Sequence, residues 1–562
     1  MQSVSKSLNY ANVTGRRTDW NTVNWRRTYR IVRNLRRRIF RASTEGNLKK
    51  VHSLQKLMLR SYSNTLVGVR RATQVNKGKN TPGVDGVLVK TSRARNDLVD
   101  ELTGYTPWKA KPVRRVYIPK TNGKWRPLGI PTIRDRCLQA MVKNALEPYW
   151  EARFEGTSYG FRPGRNTHDA IARIYTIARP HSKKKWVIDA DIKGAFDNIN
   201  HEFLLKTIGM FSGRELIKQW LKAGYMEYGR IHETESGTPQ GGVISPLLAN
   251  IALHGMEEAL GIRYDNWGRN QSKRAIVRYA DDFVVFCESR EDAEEVIGVL
   301  KEWLRERGLE LSKEKTRISH LTEGFNFLGF NIKHYKSQNA RTGWKLLIKP
   351  SKESVCELKD KLREAWYSLK GHNVTAIVRK LNPIIQGWAN YHRIAVASRT
   401  FWNMDSWMFR REVRYVNFTH PKKPKYWKKS RYWGKLNPGK PDRWVFGDKR
   451  NEIYLLKFCW FPIQRHVLVK GKASPDDPSL QEYWQKRNMA KAKNLSPIRR
   501  RIAIRQSGIC PVCGEPLFND EELQIHHIKP IKEGGKGDHN NLQFLHLYCH
   551  QQIHALWKRN TA

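Results

Sequence analysis

Two aspartates stand side by side at Asp281 and Asp282, between the apolar runs of residues 275–279 and 283–286 in RYADDFVVF. Short apolar runs that meet at polar residues read as two strands joined by a turn. Adjacent like charges repel, so a turn bearing two carboxylates is expensive unless a cation sits between them. Upstream, in WVIDADIKGAFDNI, another apolar strand delivers Asp191 to its end. Three acids on neighbouring strand ends could hold the hard divalent cations of in-line phosphoryl transfer, one activating the attacking hydroxyl and one steadying the leaving pyrophosphate. The same residues also suit solvated carboxylates at a β-turn, where Asp is common; residue type alone leaves both readings open. The chain has no Gly-x4-Gly-Lys-Ser/Thr loop, so a triphosphate site here is not a P-loop.

A second concentration of chemistry lies near the end of the chain. Cys510-x-x-Cys513 followed by His546-x-x-Cys549 is a four-ligand zinc signature. Between the two pairs runs IHHIKPIKEGGKGDHNNLQF, and CHQQIH follows it. His550 and His554 stand four apart, on one face of a helix. A neutral imidazole can accept a proton from water near neutral pH, and a single hard ion can stabilise a departing 3′ oxygen. A histidine-rich zinc ribbon without catalysis is the competing reading.

Other residues could serve the aspartates. In SGTPQGGVISPLLANIAL, Gly241 and Gly242 would let backbone approach a nucleotide closely. Ser245 and Pro246 read as the N-cap and first residue of a helix running through Leu247, Leu248 and Ile251. In IPKTNGKWRPLGIP, Lys120 and Arg126 flank a tight turn at Asn122-Gly123, which predicts a hairpin.

These groups need elements to hold them. Residues 25–60 read as two helices, with Ile31, Leu35 and Ile39 recurring every four residues and Arg33, Arg36, Arg37 and Arg41 elsewhere on the surface. One face should pack, and the other is free either to touch phosphate or simply to be solvated. From Thr81 the texture becomes Gly/Pro-punctuated strands alternating with helices, an α/β body reaching Lys333. Helical spacing returns over 346–400, with Leu358, Leu362 and Trp366 on one stripe. Residues 420–493 interleave aromatics with cations, which suits phosphate contact plus base stacking, or else a Trp-rich core with a basic surface. A compact unit closes the chain.

With 562 residues, several domains are expected. The 103 Lys and Arg outnumber 52 Asp and Glu, a net charge of +51 that points to a polyanionic partner rather than to a solubility or membrane-surface device. Binding should weaken steeply with salt, because each neutralised phosphate releases counterions. No apolar run is long enough to cross a bilayer, and the first residues lack a secretory signal. Seven cysteines are too few for a disulfide framework, and three of them crowd the zinc signature. A reducing, nucleic-acid-containing compartment is expected, the cytoplasm of a bacterium or an organelle, with no membrane partner.

Tyr279 to Asp282, Asp191 with Phe196 five residues on, and Pro239-Gln240-Gly241 together resemble the reverse transcriptases. The phrases TPGVDG, SYGFRPGRNTHDAI, GTPQGGVISPLLANI and LNPIIQGWANYH narrow the resemblance to group II intron-encoded proteins, and it covers nearly the whole chain. It implies a multidomain α/β fold: right-hand fingers and palm, an α-helical thumb or maturase X domain, a basic DNA-binding region, and a zinc-containing ββα-metal HNH nuclease. The implied limits are 1–80 for a basic helical extension of the fingers, 81–335 for fingers and palm, 336–410 for the thumb, 411–495 for the DNA-binding region and 496–562 for the nuclease.

The resemblance also implies roles. Asp191, Asp281 and Asp282 would hold two Mg2+. Arg126 and Lys120 would clamp the incoming dNTP, a task suited to the bidentate fork of Arg. Ile192, Phe196 and Gln240 would line the nucleotide, Phe196 rejecting ribonucleotides, and Lys315 would act as general acid toward pyrophosphate. FNFLGF at 325–330 corresponds to the primer grip. In the tail His527 would be the general base, His526, His550 and His554 would hold one divalent ion, Asn541 would orient the hairpin or His527, and Cys510, Cys513, His546 and Cys549 would bind structural Zn2+. Many relatives carry four cysteines there, and His546 takes the third place in this chain. Implied partners are group II intron RNA, a double-stranded DNA target and dNTPs. The implied activities are splicing assistance, DNA nicking and target-primed reverse transcription. Two rivals are a splicing cofactor with a vestigial polymerase and a DNA nuclease whose palm only binds nucleic acid.

Overall fold

In the computed structural model, which describes residues 18–104, 108–119, 123, 125–519 and 521–561, the aspartates sit on a four-stranded antiparallel sheet. Its order is Ala275–Tyr279, Asp282–Cys287, Trp186–Asp191, Arg317–His320. The run from Phe283 to Cys287 is wholly buried, so both faces of this central strand are covered. Ile188, Phe283 and Val285 join one core with Leu247, Leu248 and Leu300, while Val187, Val284 and Phe286 join another with Ile171, Phe330 and Trp484. A sheet clamped on both faces fixes its strand ends, and the aspartates sit at those ends.

The N-terminal helices Trp25–Thr44 and Leu48–Leu59 form as expected, each opened by an Asn side chain that accepts from the third residue on. Leu35 and Ile39 are buried but Ile31 only partly, because the stripe continues through Val32 and Phe40. The expected phosphate-facing arginines divide. Arg36 donates to Asp476 at 2.6 and 2.8 Å and to Glu147 at 2.8 Å, and Arg33 pairs with Glu515. These two are therefore internal ties, whereas Arg41 stays exposed.

Strands Val113–Pro119 and Trp125–Ile130 form the expected hairpin, with Gly123 at φ +77° in its turn. Lys120 and Asn122 lie outside the described residues. Leu358, Leu362 and Trp366 are buried on the helix Lys352–Ser368, against Ile377, Leu381 and Ile385 of the helix Val374–His392. The limits expected at 335 and 411 both fall inside elements, the strand Phe330–Lys336 and the helix Ser398–Thr419. Tyr432, Trp433 and Phe446 close the thumb core, Tyr432 stacked on Phe446 at 5.9 Å. These three are core aromatics; Tyr426 and Trp444 are the exposed ones of that stretch. Farther on, His466 and Arg487 converge on buried Asp169 at 2.9 and 2.5 Å, which fastens this part of the chain to the palm.

The tail is a hairpin of Leu523–His527 and Leu542–His546 followed by the helix Leu547–Thr561. Among the described residues, no helix is long and apolar enough to cross a membrane.

Candidate active sites

Register puts Asp191 opposite Asp282, and Tyr279 opposite Asp282 on the other side. Ala280 and Asp281 therefore make a two-residue turn. Ala280 sits at φ +60°, where such hairpins usually place glycine. The turn is held by neighbours that the sequence reading did not single out for this task. Tyr159 N donates to Arg278 O at 2.9 Å, and buried Arg278 donates to Asn250 Oδ1 at 3.1 Å. Asn250 in turn donates to Gly160 O at 2.9 Å. A Cβ on Gly160 would lie 2.3 Å from Ala280 N, so only glycine permits this approach. The SYGF phrase was legible as a motif, but its contact with the turn was not.

The electrostatics are those of an under-compensated acid cluster. Although Asp282 keeps solvent access, the surrounding protein and the charges of Asp281 and Asp191 push its carboxyl up to about 7. Burial raises Asp281 as well. Lys315 answers the cluster: its ammonium pairs with Asp191, and that bond raises its own pKa. Oxygen donors driven toward protonation by one another suit divalent cations.

Around them, Thr238 N donates to Phe196 O, and Gln240 joins palm to fingers. Gln240 Nε2 donates to Asp197 at 3.3 Å, its Oε1 accepts from Arg126 Nε at 3.0 Å, and its carbonyl accepts from Gly129 N at 2.6 Å. Gly241, at φ +117°, passes Gly129 O so closely that a Cβ would lie 2.7 Å away. Ser245 is the first residue of its helix rather than the cap; Ile244 caps, and the Ser245 hydroxyl donates to Pro239 O instead. Ile192 and Phe196 are buried behind Asp191. Exposed Phe161, at φ +59°, places its ring 6.3 Å from that of Phe196, a neighbour the sequence reading missed.

In the tail, Cys510, Cys513, His546 and Cys549 converge and are all buried. His546 Nε2 lies 3.1 Å from Pro516 O, so in the neutral ring Nε2 donates there and Nδ1 is left as the acceptor facing Cys513 Sγ at 3.3 Å. Three sulfurs and one oriented imidazole nitrogen fit Zn2+. A second cluster joins His526, His550 and His554, with ring centroids 4.4 to 5.3 Å apart. Burial and mutual proximity lower His526 and His550 toward the neutral form that binds metals. His527 follows on the strand and points to the other face. Asn541 acts on the backbone: it donates to Lys529 O and Lys536 O at 2.9 and 2.8 Å and accepts from Lys529 N at 2.8 Å, pinning the loop after His527.

Four family models match the chain: the N-terminal domain of reverse transcriptase at 20–102, reverse transcriptase (RNA-dependent DNA polymerase) at 118–332, the maturase-specific domain of group II introns at 355–433, and HNH endonuclease at 510–556. Protein YkfC of Escherichia coli is 37% identical over 339 residues, 53% of this chain and 87% of that protein. The group II intron-encoded protein LtrA of Lactococcus lactis is 33% identical over 360 residues, covering 52% of this chain and 60% of LtrA. An uncharacterized 91 kDa protein in the cob intron of Schizosaccharomyces pombe is 29% identical over 405 residues, covering 56% of this chain and 48% of that protein.

Proposed function

Because the chain belongs to the group II intron-encoded family of reverse transcriptases with a maturase domain and an HNH endonuclease, we propose that it copies its intron RNA into DNA from a primer its own tail has nicked, and that it binds the same RNA to assist splicing. The setting is a nucleic-acid-containing compartment such as a bacterial cytoplasm. The register of Asp191 against Asp282, with Asp281 in the adjoining turn, carries the polymerase reading.

Asp191, Asp281 and Asp282 would hold two Mg2+, which when bound would supply activation of the primer hydroxyl and neutralisation of the leaving pyrophosphate. Lys315 gives up its bond to Asp191 as that charge is met elsewhere, and its ammonium turns toward the departing pyrophosphate as proton donor. Arg126, aimed by Gln240, grips the triphosphate, and Lys120 is assigned the same task. Ile192 supports the nucleotide and Phe196 closes on its 2′ position. In the tail, His526, His550 and His554 would hold one divalent ion, and His527 would take the water proton. Asn541 is a positioning residue for that hairpin. The freed 3′-hydroxyl then enters the palm as primer on the DNA target.

Primer extension on poly(rA)/oligo(dT) tests the reading. The wild type should extend and Asp281→Ala should not, while that variant still nicks target DNA. A wild-type chain without extension would be a splicing cofactor with a vestigial polymerase; nicking unchanged in His527→Ala would remove the proton acceptor assigned to the tail.

A further inference from the structure

Arg70 closes the helix Tyr62–Arg70 of the N-terminal extension and is only 1% exposed. A buried guanidinium is costly unless an anion meets it. Its faces lie over Trp25, at 4.4 Å, and Tyr29, at 5.6 Å. At its edge, Nη2 donates to Cys549 Sγ at 3.2 Å and lies 3.8 Å from Glu521. Among the described residues, its Nε and Glu521 Oε2 have no hydrogen-bond partner. A neutral thiol is a weak acceptor, so beside three protonated cysteines only the longer pair to Glu521 would answer this cation. Three thiolates and a neutral imidazole around Zn2+ instead carry a single net negative charge.

We propose that Arg70 is the counter-ion of the zinc–thiolate cluster, supplied across the interface by the fingers, so that zinc retention and docking of the nuclease tail are one linked equilibrium. The inference rests on the zinc reading of the Cys/His cluster. The packing supports it: Trp25, Leu66 and Val69 of the extension share a core with Cys510, Leu517 and Phe544 of the tail, so the wall of the metal site is also the interface. Surrounding ties set the orientation. Lys79 bonds the Tyr548 hydroxyl, Arg33 bonds Glu515 and Gly514 O, and Gln552 donates to Asn21 O and Val23 O, each at 2.9 Å. Linkage is reciprocal, so the metal tightens docking by the factor by which docking tightens the metal.

The test uses the full chain and two readouts: zinc retention in competition with a chelator, and hydrogen exchange of the helices Trp25–Thr44 and Tyr62–Arg70. Arg70→Met should hold zinc about 10- to 100-fold less tightly and expose both helices to exchange, with partial rescue in Arg70→Lys. Arg363→Gln, which removes an exposed pair to Asp360 within one thumb helix, should leave zinc affinity unchanged. Chelation of the wild type should expose the same two helices, and this arm decides the question even if Arg70→Met does not fold. Equal zinc affinity in Arg70→Met and wild type, or full protection of the helices after chelation, would overturn the proposal. Absence of zinc from the purified wild type by elemental analysis would remove the metal site itself, and the proposal with it.

Discussion

The palm aspartates and the Cys/His cluster of the tail both gather metal-seeking side chains, and they are built in opposite ways. In the tail all four donors are buried and close-set, a set that would fill every position of a tetrahedral Zn2+ with protein. In the palm the carboxylates stand at strand ends, with Asp282 open to solvent and Lys315 answering Asp191. A closed set lends its binding energy to folding; an open one leaves positions for a substrate's oxygens. The histidine cluster lies between the two, with three donors on a partly exposed hairpin and helix.

The largest effect expected from this contrast is in the palm. Asp281→Ala should lower primer extension by about a thousandfold or more, since metal stabilisation of the transition state is worth several kcal/mol. Nicking and zinc content should persist. Retained extension would put the open site elsewhere. His550→Ala is the matching variant in the tail. It should reduce nicking by about a hundredfold or more while sparing extension. Loss of zinc in that variant would show that the two tail clusters are not separate.

Gly160→Ala asks how tightly the open site is positioned. The new Cβ would meet backbone at 2.3 and 2.8 Å, and backbone cannot give way as a flexible side chain does. We expect a loss of about 1 to 3 kcal/mol in stability. The turn rate should fall about tenfold with little change in KM for dNTP. An unchanged kcat would mean that the Ala280 turn tolerates displacement. A smaller effect is expected in Phe196→Ala, where discrimination against ribonucleotides should fall by about tenfold in single-nucleotide incorporation.

What the sequence disclosed tracks what local chemistry can encode. The apolar runs around Asp281, the strand ending at Asp191 and the Cys-x-x-Cys and His-x-x-Cys pairs each concern residues close in the chain, and the fold realises them. Contacts between distant residues left no local signal: Arg70 and Cys549 are 479 positions apart, Arg36 and Asp476 are 440 apart. The basic-aromatic stretch shows a different difficulty. Aromatics among cations are compatible with base stacking and with a small core, and only packing shows that Tyr432, Trp433 and Phe446 took the second course.

That core also supplies the mildest variant, and it separates a perturbed carboxyl from a functional one. Glu412, on the helix Ser398–Thr419, is pushed up to about 7 by burial, which also leads at Asp282; there Asp281 and Asp191 add to it, whereas at Glu412 Trp433 and Lys457 oppose it. It accepts from Trp433 Nε1 at 2.9 Å. Since its folded pKa lies above the ordinary 4.5, its contribution to stability is complete below about pH 4.5 and is lost as pH rises through about 7. The full swing is on the order of 3 kcal/mol. Glu412→Gln keeps an acceptor for Trp433 and removes the ionisation, so hydrogen exchange of this helix at pH 8 should slow relative to wild type, with little difference at pH 4.5 and no change in primer extension. Slower extension in that variant would mean that a buried thumb carboxyl is coupled to the palm, and that the contrast between closed and open sites understates how far the thumb takes part in synthesis.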